Sequence, residues 1–116
     1  MDIIWLGHGS FRIEIEDQIL LIDPWLTGNP MLDDAQHILV THGHFDLTQD
    51  LKMVAEKTGA PVAGMVELMG YFSAQGVENT TGFNKGGTIR CGKVDVAMVP
   101  ASHSSSVDGD TGPVYM

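Results

Sequence analysis

The chain has 116 residues, 43% of them hydrophobic and 18% charged, a balance that fits one globular domain and excludes a disordered segment. Fifteen acidic against six basic residues leave a net charge of −9, which repels phosphate backbones and anionic membranes. No nucleic-acid or membrane partner is therefore expected, and a small-molecule substrate fits better. No apolar run reaches about 18 residues, and no basic stretch precedes Met1-Asp2-Ile3-Ile4-Trp5, so neither a membrane span nor a signal peptide is expected. The single cysteine, Cys91, forms no internal disulfide and fits a reducing, cytoplasmic setting.

In chain order, Asp2 to Leu6 reads as a short strand. Phe11 to Glu16 alternates strictly, which predicts a half-buried strand with Phe11, Ile13 and Ile15 inward. Asp17-Gln18 is expected to turn the chain into Ile19 to Ile22, apolar on both faces and hence central. Asp23-Pro24 stops that strand, and a loop runs through Asn29-Pro30 to Asp34. His37 to Thr41 is a further apolar strand. Thr48 is suited to cap a helix over Gln49 to Lys57, with Leu51, Val54 and Ala55 on one face and Gly59 at its end. Pro61 to Gly64 reads as a strand, and Val66 to Gln75 as a second helix ending at Gly76. Thr88 to Cys91 and Val94 to Val99 flank Gly92-Lys93, a pair suited to a type II′ hairpin. The expected architecture is α/β: one domain over residues 1–116, with a mixed sheet and helices on one face. A sheet this apolar needs cover on both faces, and two helices supply only one.

Chemistry concentrates at strand exits. His42 and His44, at i and i+2 in an extended segment, present two imidazoles to the same side, and Asp46 follows two residues later. His103 stands after the strand from Val94, in a serine-rich loop (Ser102, Ser104, Ser105, Ser106) whose hydroxyls can support a ligand or its neighbours. If the two strands lie side by side, three imidazoles converge, as in an open catalytic zinc site. Asp23 ends a central strand near the same sheet edge, where it can orient a histidine, touch a metal, or simply start a turn before Pro24. His8 lies in a glycine-flanked turn and His37 opens a strand, both read as structural positions, with His8 also within reach of the site. None of the serines sits in a recognisable nucleophile setting.

Several segments together resemble the N-terminal half of a metallo-β-lactamase-fold protein. They are Trp5-Leu6-Gly7-His8, Leu21-Ile22-Asp23-Pro24, Leu26-Thr27-Gly28-Asn29-Pro30, Thr41-His42-Gly43-His44-Phe45-Asp46, Gly76-Val77-Glu78, Gly86-Gly87-Thr88, and Val99-Pro100-Ala101 with His103-Ser104-Ser105-Ser106. The resemblance is to the metal-dependent hydrolase branch that includes the ascorbate-lactone hydrolases and many uncharacterised bacterial and archaeal members. It implies half of an αββα sandwich with a metal site at one sheet edge. His42, His44 and His103 would be ligands of a first metal. Asp46 would serve a second metal and Asp23 would be the acid beside the site, both counted among the catalytic residues. The family carries zinc, sometimes manganese or iron, and uses metal-bound water to attack an ester, lactone, amide or phosphoester bond.

Two features depart from the family pattern. Its motif continues with a histidine after the aspartate, where this chain has Leu47, so the second metal position loses a nitrogen ligand and one ion per chain is expected. Full-length relatives are about twice as long, and their second half supplies the other αβ layer. A homodimer covering the bare sheet face is therefore expected. The alternative to a hydrolase is a non-catalytic metal-binding or self-associating half-domain.

Overall fold

A computed structural model describes residues 1–25, 29–44, 50–109 and 112–115, of which 106–109 and 112–115 are described by backbone alone. Six strands form one sheet in sequence order: β1 (Asp2–Gly7), β2 (Ser10–Ile15), β3 (Gln18–Ile22), β4 (His37–Leu39), β5 (Val62–Gly64) and β6 (Thr80–Gly82). The first three pair antiparallel, and β3 to β6 run parallel. Parallel neighbours need crossovers. Helices α1 (Leu51–Thr58) and α2 (Val66–Ala74) make the last two. Right-handed crossovers that always step in the same direction put both helices on the same face.

That face carries the core. Leu21, Ile38 and Val62 are partners across β3, β4 and β5, and all three are fully buried against Leu51, Val54, Leu68, Met69 and Phe72 of the helices. Each such side chain contributes about 1.5–3 kcal/mol by leaving water. The helix predicted around Leu51, Val54 and Ala55 buries those three residues, and Gly59 ends it at φ +69, donating its N–H to Ala55 O at 2.9 Å. The helix starts later than expected, at Leu51 with Asp50 in the N-cap position, so Thr48, which itself lies outside the described residues, is not its cap.

Strand β2 alternates as expected, but the alternation points the other way. Ser10 and Arg12 face the helix side and are buried, whereas Phe11, Ile13 and Ile15 lie half-buried on the opposite face. Arg12 is tolerated there because four of its five guanidinium N–H groups are engaged. It donates to both carboxylate oxygens of Asp34, to Glu14 (2.9 Å) and to the Met31 carbonyl (2.8 Å). The hydrogen bond from Arg12 holds the Asp34 carboxyl below its usual range. The network also fixes the 3-10 turn Pro30–Leu32, which Asn29 caps through Met31 N at 3.0 Å. The β2–β3 turn sits one residue earlier than predicted. Glu16 and Asp17 both have positive φ (+51 and +59), as a type I′ turn requires, and Gln18 already belongs to β3.

The second sheet face is covered in part by the hairpin of β7 (Thr88–Cys91) and β8 (Val94–Ala97). Its turn has φ +62 at Gly92, with Lys93 outside the positive-φ residues, in keeping with the predicted type II′ geometry. A Cβ on Gly92 would stand 2.3 Å from Gln18 Oε1, so the turn is packed directly on the start of β3. Cys91 and Ile89 share a small cleft with His37, Ala63 and Thr81. The rest of this face is open: Ile3 and Trp5, paired with Ile13 and Phe11, are 60% and 67% exposed. Two pairings were not anticipated. Strand β6 is a polar three-residue edge, and β9 (Ser106–Gly109) pairs antiparallel with β10 (Gly112–Tyr115).

His37, as its position predicts, is structural: its Nε2 lies 3.2 Å from Gln18 Oε1, beneath the β7–β8 turn. Burial pushes this imidazole below its ordinary value near 6.5. The unfolded chain then takes up the proton first, so stability is complete above about pH 6.5 and is lost as pH falls through the folded-state value. Thermal unfolding of the wild type and His37→Gln, followed from pH 7.5 down to about 5.5, should show the flatter curve for the variant. Parallel curves would contradict the assignment.

Candidate metal centre

The site begins where two parallel strands end side by side. Ile22 of β3 is the partner of Leu39 of β4, and Asp23 N donates to Leu39 O at 2.9 Å. Asp23 then takes a left-handed conformation, φ +48, a conformation unusual outside glycine and best tolerated by Asp and Asn. Its side chain is 3% exposed and spans to the neighbouring strand exit. Oδ1 accepts from Thr41 N at 2.8 Å, and Oδ2 accepts from the Thr41 hydroxyl at 2.5 Å.

The Thr41 oxygen is also 2.8 Å from His42 Nδ1. On the other side of the site, His103 Nδ1 is 2.6 Å from the Ser104 carbonyl, which only accepts, so Nδ1 carries the proton and Nε2 the lone pair. His44 Nε2 lies 3.4 Å from Ser104 Oγ. The loop bearing His103 is tied to the His42–His44 segment by Ser105, whose Oγ accepts from Gly43 N at 2.8 Å.

Three imidazoles meet as a result. Ring centroids are 4.8 Å apart for His42 and His44, 4.4 Å for His42 and His103, and 5.0 Å for His44 and His103. One nitrogen from each lies within 4.8 Å of the others. A tetrahedral ion with bonds of about 2.0–2.1 Å needs donors roughly 3.3 Å apart, so small side-chain rotations complete the shell. The donor set fits a transition-metal ion. The convergence does not come from neighbouring strands: β4 belongs to the six-stranded sheet and β8 to the separate hairpin. The loop after β8 reaches across, and Ser105 secures it.

His8 and His37 stand apart from this cluster. His8 packs its ring against Trp25 at 5.4 Å, and Trp5 Nε1 donates to its carbonyl at 2.8 Å. Asp46 and Leu47 lie outside the described residues. A larger cleft of about 410 Å³ on the helix side, beside Leu32 and Val54, contains none of the three histidines, and two of its charged residues, Lys57 and Asp33, form an ion pair at 3.0 Å. The residue missed by sequence reasoning is Thr41. Its signal was a hydroxyl immediately before the first histidine, next to a strand ending in an acid.

Residues 2–114 match the model of the beta-lactamase superfamily domain. The chain belongs to that superfamily. Its relatives include UPF0173 metal-dependent hydrolases of Dinoroseobacter shibae, 54% identical over 99% of this chain, and of Roseobacter denitrificans, 54% identical over 98%. In both cases the match spans 54% of the relative, so the chain corresponds to about half the length of these superfamily members. Among solved structures, a metallo hydrolase from Ignicoccus hospitalis superimposes with a TM-score of 0.77 at 26% identity, over 97% of this chain and 52% of that one. The Rm3 metallo-beta-lactamase shares the superfamily fold at a TM-score of 0.60 and 18% identity, over 91% of this chain and 48% of its own. The mixed sheet with helices on one face is therefore the metallo-β-lactamase architecture, as the sequence led us to expect.

The Gly43 N–H is buried, and Ser105 is the hydroxyl it meets. Ser105→Ala leaves that donor unsatisfied and should lower stability to urea by about 1–3 kcal/mol, with Ser105→Thr restoring most of it. A loss below about 0.5 kcal/mol for the alanine variant would show that the tie is not needed.

Proposed function

We propose that this chain is the histidine-bearing half of a metal-dependent hydrolase, holding one divalent ion on His42, His44 and His103. The observation that carries the reading is the meeting of three imidazole nitrogens within 4.8 Å at a strand exit. Three neutral nitrogen donors favour zinc, with manganese and iron as the alternatives. Such an ion supplies Lewis acidity and lowers the pKa of a water in its shell. The substrate class is a small molecule carrying an ester, lactone, amide or phosphoester bond. Relatives named metal-dependent hydrolases support this reading.

The chain's own residues would do the following. The three histidines bind and orient. Asp46, two residues beyond His44, is the candidate carboxylate at the reacting centre, while Leu47 offers no ligand atom there. Asp23 contributes through Thr41, to which both its oxygens are bonded. The single cysteine, Cys91, supports a reducing, cytoplasmic setting.

A second reading is favoured by the open sheet face. Ile3 and Trp5, with half-buried Phe11 and Ile13, form an apolar surface on the face away from the helices. We propose that a second copy of the chain covers it, whether or not the dimer is catalytic. Such contacts bury aromatic and aliphatic anchors at the centre of a homodimer interface.

Elemental analysis of a zinc-loaded, desalted size-exclusion peak tests both readings. The expected result is about one zinc per chain, in a species of twice the 12.5 kDa chain mass. His42→Ala and His103→Ala should each carry far less metal. Absence of stoichiometric transition metal in the wild type would overturn the metal reading, and a 12.5 kDa monomer would overturn the dimer.

A further inference from the structure

We propose that Thr41 is a positioning residue that holds the His42 imidazole as its Nδ1–H tautomer, with Asp23 setting the direction of the Thr41 hydroxyl. The inference rests on the metal-centre reading for its purpose, but its geometry stands on the chain alone.

The argument is one of proton count. The Thr41 hydroxyl has a single hydrogen and two polar neighbours, Asp23 Oδ2 at 2.5 Å and His42 Nδ1 at 2.8 Å. The hydrogen cannot serve both. Two oxygens 2.5 Å apart need a proton between them, and a carboxylate only accepts, so the hydroxyl donates to Asp23. Its lone pair then faces His42 Nδ1, which must supply the other hydrogen. A neutral imidazole carries one proton, so the His42 lone pair lies on Nε2.

Asp23 cannot readily turn away from this task. Its second oxygen accepts from Thr41 N, its own N–H is bonded to Leu39 O, and its side chain is buried. Direction therefore passes from the β3–β4 strand pair to Asp23, to Thr41, and to the ring. An imidazole free in water prefers the opposite tautomer, with the proton on Nε2. Without the hydroxyl, the ring would turn a proton toward a bound ion and its lone pair toward Thr41.

Asp23→Asn is the discriminating variant. The Asn oxygen must still accept from Thr41 N, so its amide nitrogen faces the Thr41 oxygen and donates to it. The hydroxyl hydrogen is then released to His42 Nδ1, which reverses the tautomer without removing Thr41. The measurement is the ring ¹⁵N spectrum of His42 in metal-free full chain, well above the imidazole titration range, together with zinc affinity. The wild type and Thr41→Ser should show the Nδ1–H form. Thr41→Val should shift toward Nε2–H, and Asp23→Asn should adopt it, with zinc binding weakened about 10–100-fold in each, the range for lost ligand support. Unchanged His103 ring signals would confirm that the site is still assembled. An Nε2–H form in the wild type, or an Nδ1–H form that persists in both Thr41→Val and Asp23→Asn, would overturn the proposal. If the wild type binds no zinc, the metal reading fails, and the ring spectrum still decides the role of Thr41.

Discussion

The candidate site hangs from the parallel pairing of β3 with β4. Because Leu21 and Ile38 are held in register by burial against the helices, the ends of the two strands stop level with one another. A slip of one residue in β4 would turn Ile38 out of the core, so the register is strongly specified. Level strand ends put Asp23 beside Thr41, and the left-handed turn at Asp23 keeps its carboxylate at that exit. The cost of an unusual backbone conformation is offset by two hydrogen bonds to one residue. His42 and His44 leave the sheet from this anchored point, and Ser105 brings His103 to them. Hydrophobic packing some distance away thus fixes the geometry of a polar cluster.

The most regular parts of this architecture were legible in the sequence. Helix α1 was readable because Leu51, Val54 and Ala55 recur at helical spacing ahead of Gly59, and the β7–β8 hairpin because Gly92-Lys93 interrupts two short apolar runs. The orientation of β2 was not. Alternation identifies two faces but not which one meets the helices, and a buried Arg12 contradicts the usual guess until Asp34 and the Met31 carbonyl are in place. Strand β6 escaped because Thr80, Thr81 and Gly82 carry no apolar signal and pair through the backbone with β5. At the site, the three histidines were singled out by strand exits and family resemblance, whereas the link through Thr41 needed coordinates. Hydrogen-bond direction depends on distances that residue spacing does not encode.

The two faces of the sheet have different standing. The helix face is closed and contains the main core, while the face bearing Ile3, Trp5, Phe11 and Ile13 is only partly roofed by β7 and β8. The chain matches about half the length of its superfamily relatives, which accords with a sandwich in which another layer meets this surface. Our reading gives that role to a second copy. The histidine cluster lies at strand ends and is tied internally by Asp23 and Ser105, so its assembly draws on bonds within one chain.

The central claim is that three imidazoles of one chain bind one ion. X-ray absorption at the zinc edge of the loaded protein tests it most directly, because the scattering pattern of coordinated imidazole counts rings. The account predicts three imidazole nitrogens at about 2.0–2.1 Å, with the remaining shell filled by oxygen. A shell with one imidazole or none, or one dominated by sulfur from Cys91, would contradict it.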